Sequence, residues 1–133
     1  MPVLSGSMAP CIMPGKNIKI MSVSSDTVQR GDIIVYKDGN TLTMHRMLVR
    51  VPLGRIALLY QKGDASRFGN WIRQERVVGI VTAIQDDEGK FIDITQPETK
   101  KNAKRAAYRQ TIHTIWNAAL AIPRFIKKCI NEM

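Results

Sequence analysis

Short apolar runs alternate with polar turn clusters through the first two thirds of the chain, and a longer helical period takes over in the last third. Residues 17–23 place Ile18 and Ile20 on one side of an alternating pattern, with Met21 or Val23 in a slipped register, which predicts a half-buried strand. Pro14-Gly15 before it and Ser24-Ser25-Asp26 after it are turn signals. Gln29-Arg30-Gly31-Asp32 reads as a further turn, with Asp32 a turn residue beside its glycine, and Ile33-Ile34-Val35-Tyr36 as a buried strand. Lys37-Asp38-Gly39-Asn40 then makes a hairpin connection, because Asp-Gly tolerates the positive backbone angles that tight hairpins need. The return strand runs from Thr41 to Val51 and carries His45 in its arm.

Pro52-Leu53-Gly54 turns the chain into a strand from Arg55 to Tyr60, which ends at Lys62-Gly63-Asp64. A polar loop containing Ser66, Arg67, Gly69 and Asn70 follows, then a strand from Val77 to Ile84, and Asp86-Asp87-Glu88-Gly89 turns it into Lys90 to Ile94. About six short strands with turns every 8–12 residues predict a mainly β fold, an antiparallel β barrel or folded sheet. From Thr99 to about Ala121 good helix formers dominate, and Tyr108, Ile112, Ile115, Trp116, Ala119 and Leu120 share one face at helical spacing. Pro123 is expected to end or kink this helix, and Arg124 to Met133 repeat its basic amphipathic pattern. The pattern divides the chain into a β body, residues 1–97, and a basic amphipathic helical tail, residues 98–133.

The net charge of +9 over 133 residues belongs mainly to that tail. Residues 1–98 hold 12 basic and 10 acidic side chains, whereas 99–133 hold 8 basic and 1 acidic. The commonest arrangement for such a tail packs its apolar face on the β body and leaves its lysines solvated. A peripheral membrane surface through residues 108–133 is the next reading, since a Trp- and Phe-bearing face opposite Lys and Arg suits an anionic interface. Nucleic acid ranks third, because no base-reading motif accompanies the charge. Cys11 and Cys129 stand far apart without clustered histidines, so neither a zinc site nor a disulfide framework is indicated, and no cofactor is called for. The opening MPVLSGSM has no basic start or long apolar run, and no stretch reaches about 18 consecutive apolar residues. A soluble or peripheral protein without a signal peptide or spanning helix is expected.

Candidate chemistry sits in Ser5-Gly6-Ser7-Met8-Ala9-Pro10, a turn of small residues that would leave a hydroxyl accessible to a substrate backbone. A serine needs a base within hydrogen-bond reach, and preferably a third group orienting that base. His45 and Asp64 are the candidates, with plain strand-surface and turn roles as their structural alternatives. With Ser-Gly-Ser-Met-x-Pro, Gly31-Asp32-Ile33-Ile34-Val35, Met44-His45-Arg46 and Lys62-Gly63-Asp64 in this order, the chain resembles the type I signal peptidase family, in the branch that pairs serine with histidine. The resemblance covers about Leu4 to Ala83 and implies a β fold of the signal-peptidase type.

It further implies a serine endopeptidase acting on a peptide or precursor-protein substrate after small residues, through an acyl-enzyme. Ser7 would be the nucleophile, His45 the general base and Asp64 the group orienting the imidazole, with the Ser7 N–H and the Ser5 hydroxyl facing the oxyanion. Two alternatives stand beside it. One is a relative of the self-cleaving repressor-type peptidases with a lysine base, for which Lys37 and Lys62 are available, although the chain has neither an Ala-Gly nor a Cys-Gly bond. The other is a non-catalytic peptidase-like module that binds membrane or an acidic partner through its basic tail. His113 is expected to be exposed on the helix's polar side and not a second base.

Overall fold

The computed structural model describes residues 6–8 and 11–131, with side chains along the C-terminal helix described as far as residue 116. The protein is mainly β. Its strands are β1 (Ile18–Met21), β2 (Ile33–Asp38), β3 (Thr41–Leu53), β4 (Ile56–Lys62), β5 (Asn70–Arg73), β6 (Val77–Gln85) and β7 (Phe91–Asp93), followed by one helix, α1 (Pro97–Asn131). All pairings are antiparallel, in the order β1-β6-β2-β3-β4-β5, with β7 added alongside β6.

The expected Asp-Gly hairpin joins β2 to β3, with Gly39 at φ 62°, and Gly54 at φ 65° turns β3 into β4. Asp32 shapes its turn by accepting the Gln29 N–H on Oδ2 at 2.8 Å. The segment from Asn70, expected to be loop, supplies the edge strand β5 because its residues pair with Leu58 to Gln61. Its own alternation is too short to announce a strand.

The sheet does not close into a barrel, since β1 and β5 end the path unpaired with each other. It is nevertheless forced to curl. In a flat sheet β5 would lie four strand spacings from β6, about 19 Å. Only the single turn Gln74–Arg76 connects them, and four backbone steps reach at most about 14 Å. Register shifts in the β1–β6, β2–β6 and β3–β4 pairings add the local twist that such curling needs.

Curling gives β2 apolar surroundings on both faces, which is why Ile33 to Tyr36 are an unbroken buried run. Ile34 and Tyr36 join Val28, Met47, Leu59, Ile72, Val77 and Ile80 in one cluster. Ile33 and Val35 join Met8, Ile12, Ile18 and Val81 in another.

The helix differs from expectation in two ways. It does not end at Pro123 but runs on to Asn131, a proline removing one helical hydrogen bond and leaving the flanking turns bonded. It also docks through its small residues: Ala107 is fully buried, while Tyr108, Ile112, Ile115 and Trp116 remain exposed. The close approach is set at Gly31, where φ is +93° and a Cβ would lie 2.7 Å from the Ala103 carbonyl carbon. Gly31→Ala is therefore expected to destabilise the protein by about 1–3 kcal/mol from backbone strain alone, with the displaced helix adding to the cost. Gly39→Ala, where φ is +62° and nothing lies within 4 Å, should cost less. Urea unfolding of the two variants provides the comparison.

Candidate active site

Two adjacent residues of β3 define two chemically different sides of the sheet. Successive side chains of a strand point to opposite faces, so His45 and Arg46 part company. Arg46 is buried and binds Asp64 through Nε at 2.9 Å and Nη2 at 2.8 Å. Its Nη1 donates to the Gly31 carbonyl at 2.9 Å, and its Nη2 also reaches Cys11 Sγ at 3.6 Å. Helix α1 completes this side. Gln110 Nε2 donates to Asp64 Oδ1 at 2.8 Å while Gln110 Oε1 accepts from Lys62 Nζ at 2.9 Å, and the Lys62 ammonium also donates to the Gly63 carbonyl at 3.0 Å.

These contacts set the charge states. Burial by itself would raise the Asp64 carboxyl, but the hydrogen bonds and charge of Arg46, with Gln110 and Lys62 behind them, outweigh it and hold the group below its ordinary value. Burial pushes the Lys62 ammonium down; the Asp64 charge opposes this and the Arg46 charge adds to it.

On the other side, His45 Nδ1 contacts Gln61 Oε1 and lies 3.3 Å from the Tyr36 hydroxyl. With the Gln61 amide oxygen turned to it, Nδ1 would carry the ring proton and Nε2 would be the free nitrogen. The orienting partners of His45 are thus Gln61 and Tyr36. Asp64, expected in that role, has its carboxylate turned to Arg46 and Gln110, because Arg46 follows His45 immediately and draws the acid to its own face.

Ser7 is half-buried and is held by the turn that follows β4. Its carbonyl accepts the Ala65 N–H at 2.8 Å, and the buried Met8 receives the Asp64 N–H on its sulfur at 3.4 Å. Between these contacts lies Gly63. A Cβ built there would stand 2.5 Å from the Ser7 carbonyl oxygen, 2.9 Å from Ser66 Oγ and 3.1 Å from the Ser7 Cβ. Only a residue without a side chain lets Ser7 come this close.

The β3–β4 register pairs Arg46 with Lys62. Carried one step further, it sets His45 opposite Gly63, and directly opposed residues have Cβ positions about 5 Å apart. Ser5 lies outside the described residues. Sequence reasoning did not single out Gln61, Tyr36, Gly63, Ser66 or Gln110 for these positions; only the hairpin register, which places Gln61 opposite Met47, could have pointed to the first.

His113 is exposed, as expected, and faces a groove shared with Lys62, Ser66, Arg67 and Arg109. Among the described residues no group of acidic, histidine or cysteine side chains could hold a metal ion.

Replacing Arg46 by Leu strands the Asp64 charge and should cost about 3–5 kcal/mol, read from urea unfolding at neutral pH. The Asp64 carboxyl is held below its unfolded value of about 3.9, so its stabilisation is present above that value and is lost as pH falls through the folded one. Wild type should exceed Asp64→Asn in stability at neutral pH, and their unfolding midpoints should converge in acid.

Comparison with protein-family models, curated proteins and solved structures gave no match.

Proposed function

We propose that this protein is a serine endopeptidase of the signal-peptidase kind, with Ser7 as nucleophile and His45 as general base, cleaving precursor or signal peptides after small residues. The observation that carries the reading is the packing of Ser7 on the turn that directly follows β4, the strand paired with the one that bears His45. Gly63 must lack a side chain there because the Ser7 backbone and Cβ press on it, and it follows Lys62, the partner of the Arg46 next to His45. The order of the serine, Gly-Asp, His-Arg and Lys-Gly-Asp motifs along the chain supports the same reading.

In this mechanism Ser7 Oγ attacks the scissile carbonyl carbon as His45 Nε2 takes its proton. The tetrahedral intermediate collapses when the imidazolium gives that proton to the leaving amine, and water then attacks the acyl-enzyme by the same relay. Gln61 and Tyr36 hold the ring from its Nδ1 side. This neutral support orients the imidazole without supplying the negative charge that a carboxylate would bring to its protonated form. Asp64 contributes by fixing the turn on which Ser7 rests, through the Arg46 bridge on one side and its own N–H on the other.

A second reading is favoured by Lys62. It is buried, its ammonium is made easier to deprotonate by that burial, and it precedes Gly63 directly. A serine–lysine pair would use it as base after it left Gln110 and the Gly63 carbonyl.

Incubation of the purified protein with a peptide library rich in Ala-x-Ala, followed by product sequencing, distinguishes the readings. Ser7→Ala and His45→Ala should each lower cleavage by about a hundredfold or more, and Gly63→Ala should do likewise by pushing Ser7 away. Gln61→Ala should lower kcat less than His45→Ala does. Cleavage that survives His45→Ala but fails in Lys62→Met moves the base to Lys62, and no Ser7-dependent cleavage of any peptide overturns the peptidase reading.

A further inference from the structure

Helix α1 meets the sheet with one face and leaves the opposite face open. Ala103 lies against Gly31, Ala107 is fully buried and Gln110 bonds to Lys62 and Asp64. These positions recur at steps of three and four and so share a face. At 3.6 residues per turn, Ile112 falls almost diametrically across the helix and Trp116 within about 30° of that line, with Tyr108 and Ile115 on the flank beside Ile112. Their exposures are 58%, 49%, 63% and 63%. Four large apolar side chains in a row, each about half or more exposed, mark an interaction surface and not a solvated face.

The same outward side continues toward the helix N-terminus as Lys101, Lys104 and Arg105, all exposed, with Arg109 beside Tyr108. The sequence holds no acidic residue from Thr99 to Trp116. A row of aliphatic and interfacial aromatic residues in line with cations, with no acid among them, is complementary to one kind of surface in both polarity and charge. That surface is the headgroup–acyl boundary of an anionic bilayer. Nucleic acid would match the cations but has no use for Ile112 and Ile115, and a second copy of this strongly basic chain would bring like charges together. No helix among the described residues is long and apolar enough to cross a membrane, so the contact is a surface one.

We propose that the outward face of α1 seats the protein on an anionic lipid bilayer, with Tyr108, Ile112, Ile115 and Trp116 in the boundary and Lys101, Lys104 and Arg105 at the lipid phosphates. Because Gln110 projects from the opposite side of the same helix onto Lys62 and Asp64, the turn carrying Gly63 would stand about one helix diameter, roughly 10 Å, above the lipid. The inference rests on the helix faces alone and holds whether or not Ser7 is a nucleophile.

The test is cosedimentation of the full chain with phosphatidylglycerol-containing vesicles and with pure phosphatidylcholine vesicles, at low and high salt. Wild type should bind the anionic vesicles at least tenfold more tightly than the neutral ones, and high salt should weaken that binding. Ile115→Ser/Trp116→Ser should weaken it about tenfold or more, and Lys101→Gln/Lys104→Gln/Arg105→Gln on the order of a hundredfold. Both variants alter exposed side chains, so their urea midpoints should match wild type. Equal binding to both vesicle types, no binding, or variants that bind as wild type would each overturn the proposal. So would a lipid-free dimer that Ile115→Ser/Trp116→Ser dissociates, which would assign the face to a second copy of the chain.

Discussion

A single guanidinium holds together parts of the chain that are distant in sequence. Arg46 extends from β3 to the Gly31 carbonyl before β2, to Cys11 in the N-terminal segment and to both oxygens of Asp64 after β4. Through Asp64 it also reaches Gln110 on α1. Burying an ion pair is costly unless its remaining hydrogen-bonding capacity is met, and here Gly31, Cys11 and Gln110 meet much of it. The consequence is conformational. With the carboxylate held, the backbone from Gly63 to Ala65 is fixed, and the Asp64 and Ala65 N–H groups hold Met8 and Ser7 in turn. The placement of the serine therefore depends on an arginine that acts through the Asp64 turn.

Strand alternation then divides the labour. His45 and Arg46 are neighbours in sequence, yet the pleat sends one toward Gln61 and Tyr36 and the other toward Asp64. The acid of the Lys-Gly-Asp motif is thereby structural in its contacts, and the histidine receives neutral partners. A one-residue slip in the β3–β4 register would exchange these environments. The register is held against such a slip by the buried pair itself and by the close contact at Gly63, where any side chain would displace the Ser7 backbone.

Helix α1 belongs to the same construction and is not an independent appendage. Its small residues permit the approach at Gly31, and Gln110 bonds two side chains beside the Gly63 turn. Tyr108, Ile112, Ile115 and Trp116 are left outside. Close backbone contact and bulky side chains are alternatives at any one helix face, and here the docking face took the former.

Much of this was legible in the chain. Period-two alternation and the Asp-Gly and Gly-containing turns foretold the β body and most of its strands, because those signals are local and each turn type demands its own residues. Helical spacing likewise announced α1, and Ser7 and His45 stood out as candidates within ordered motifs. Tertiary structure alone decided the rest. The open but curled sheet follows from a three-residue turn having to span what would be four strand spacings, a constraint that exists only once the strand order is known. Asp64 went to Arg46 and Gln61 to His45 because the facing of a side chain depends on register, which pairs residues far apart in sequence. The helix turned its alanines inward for a similar reason: hydrophobicity says which residues gain by leaving water, but the shape of the surface opposite decides which of them can.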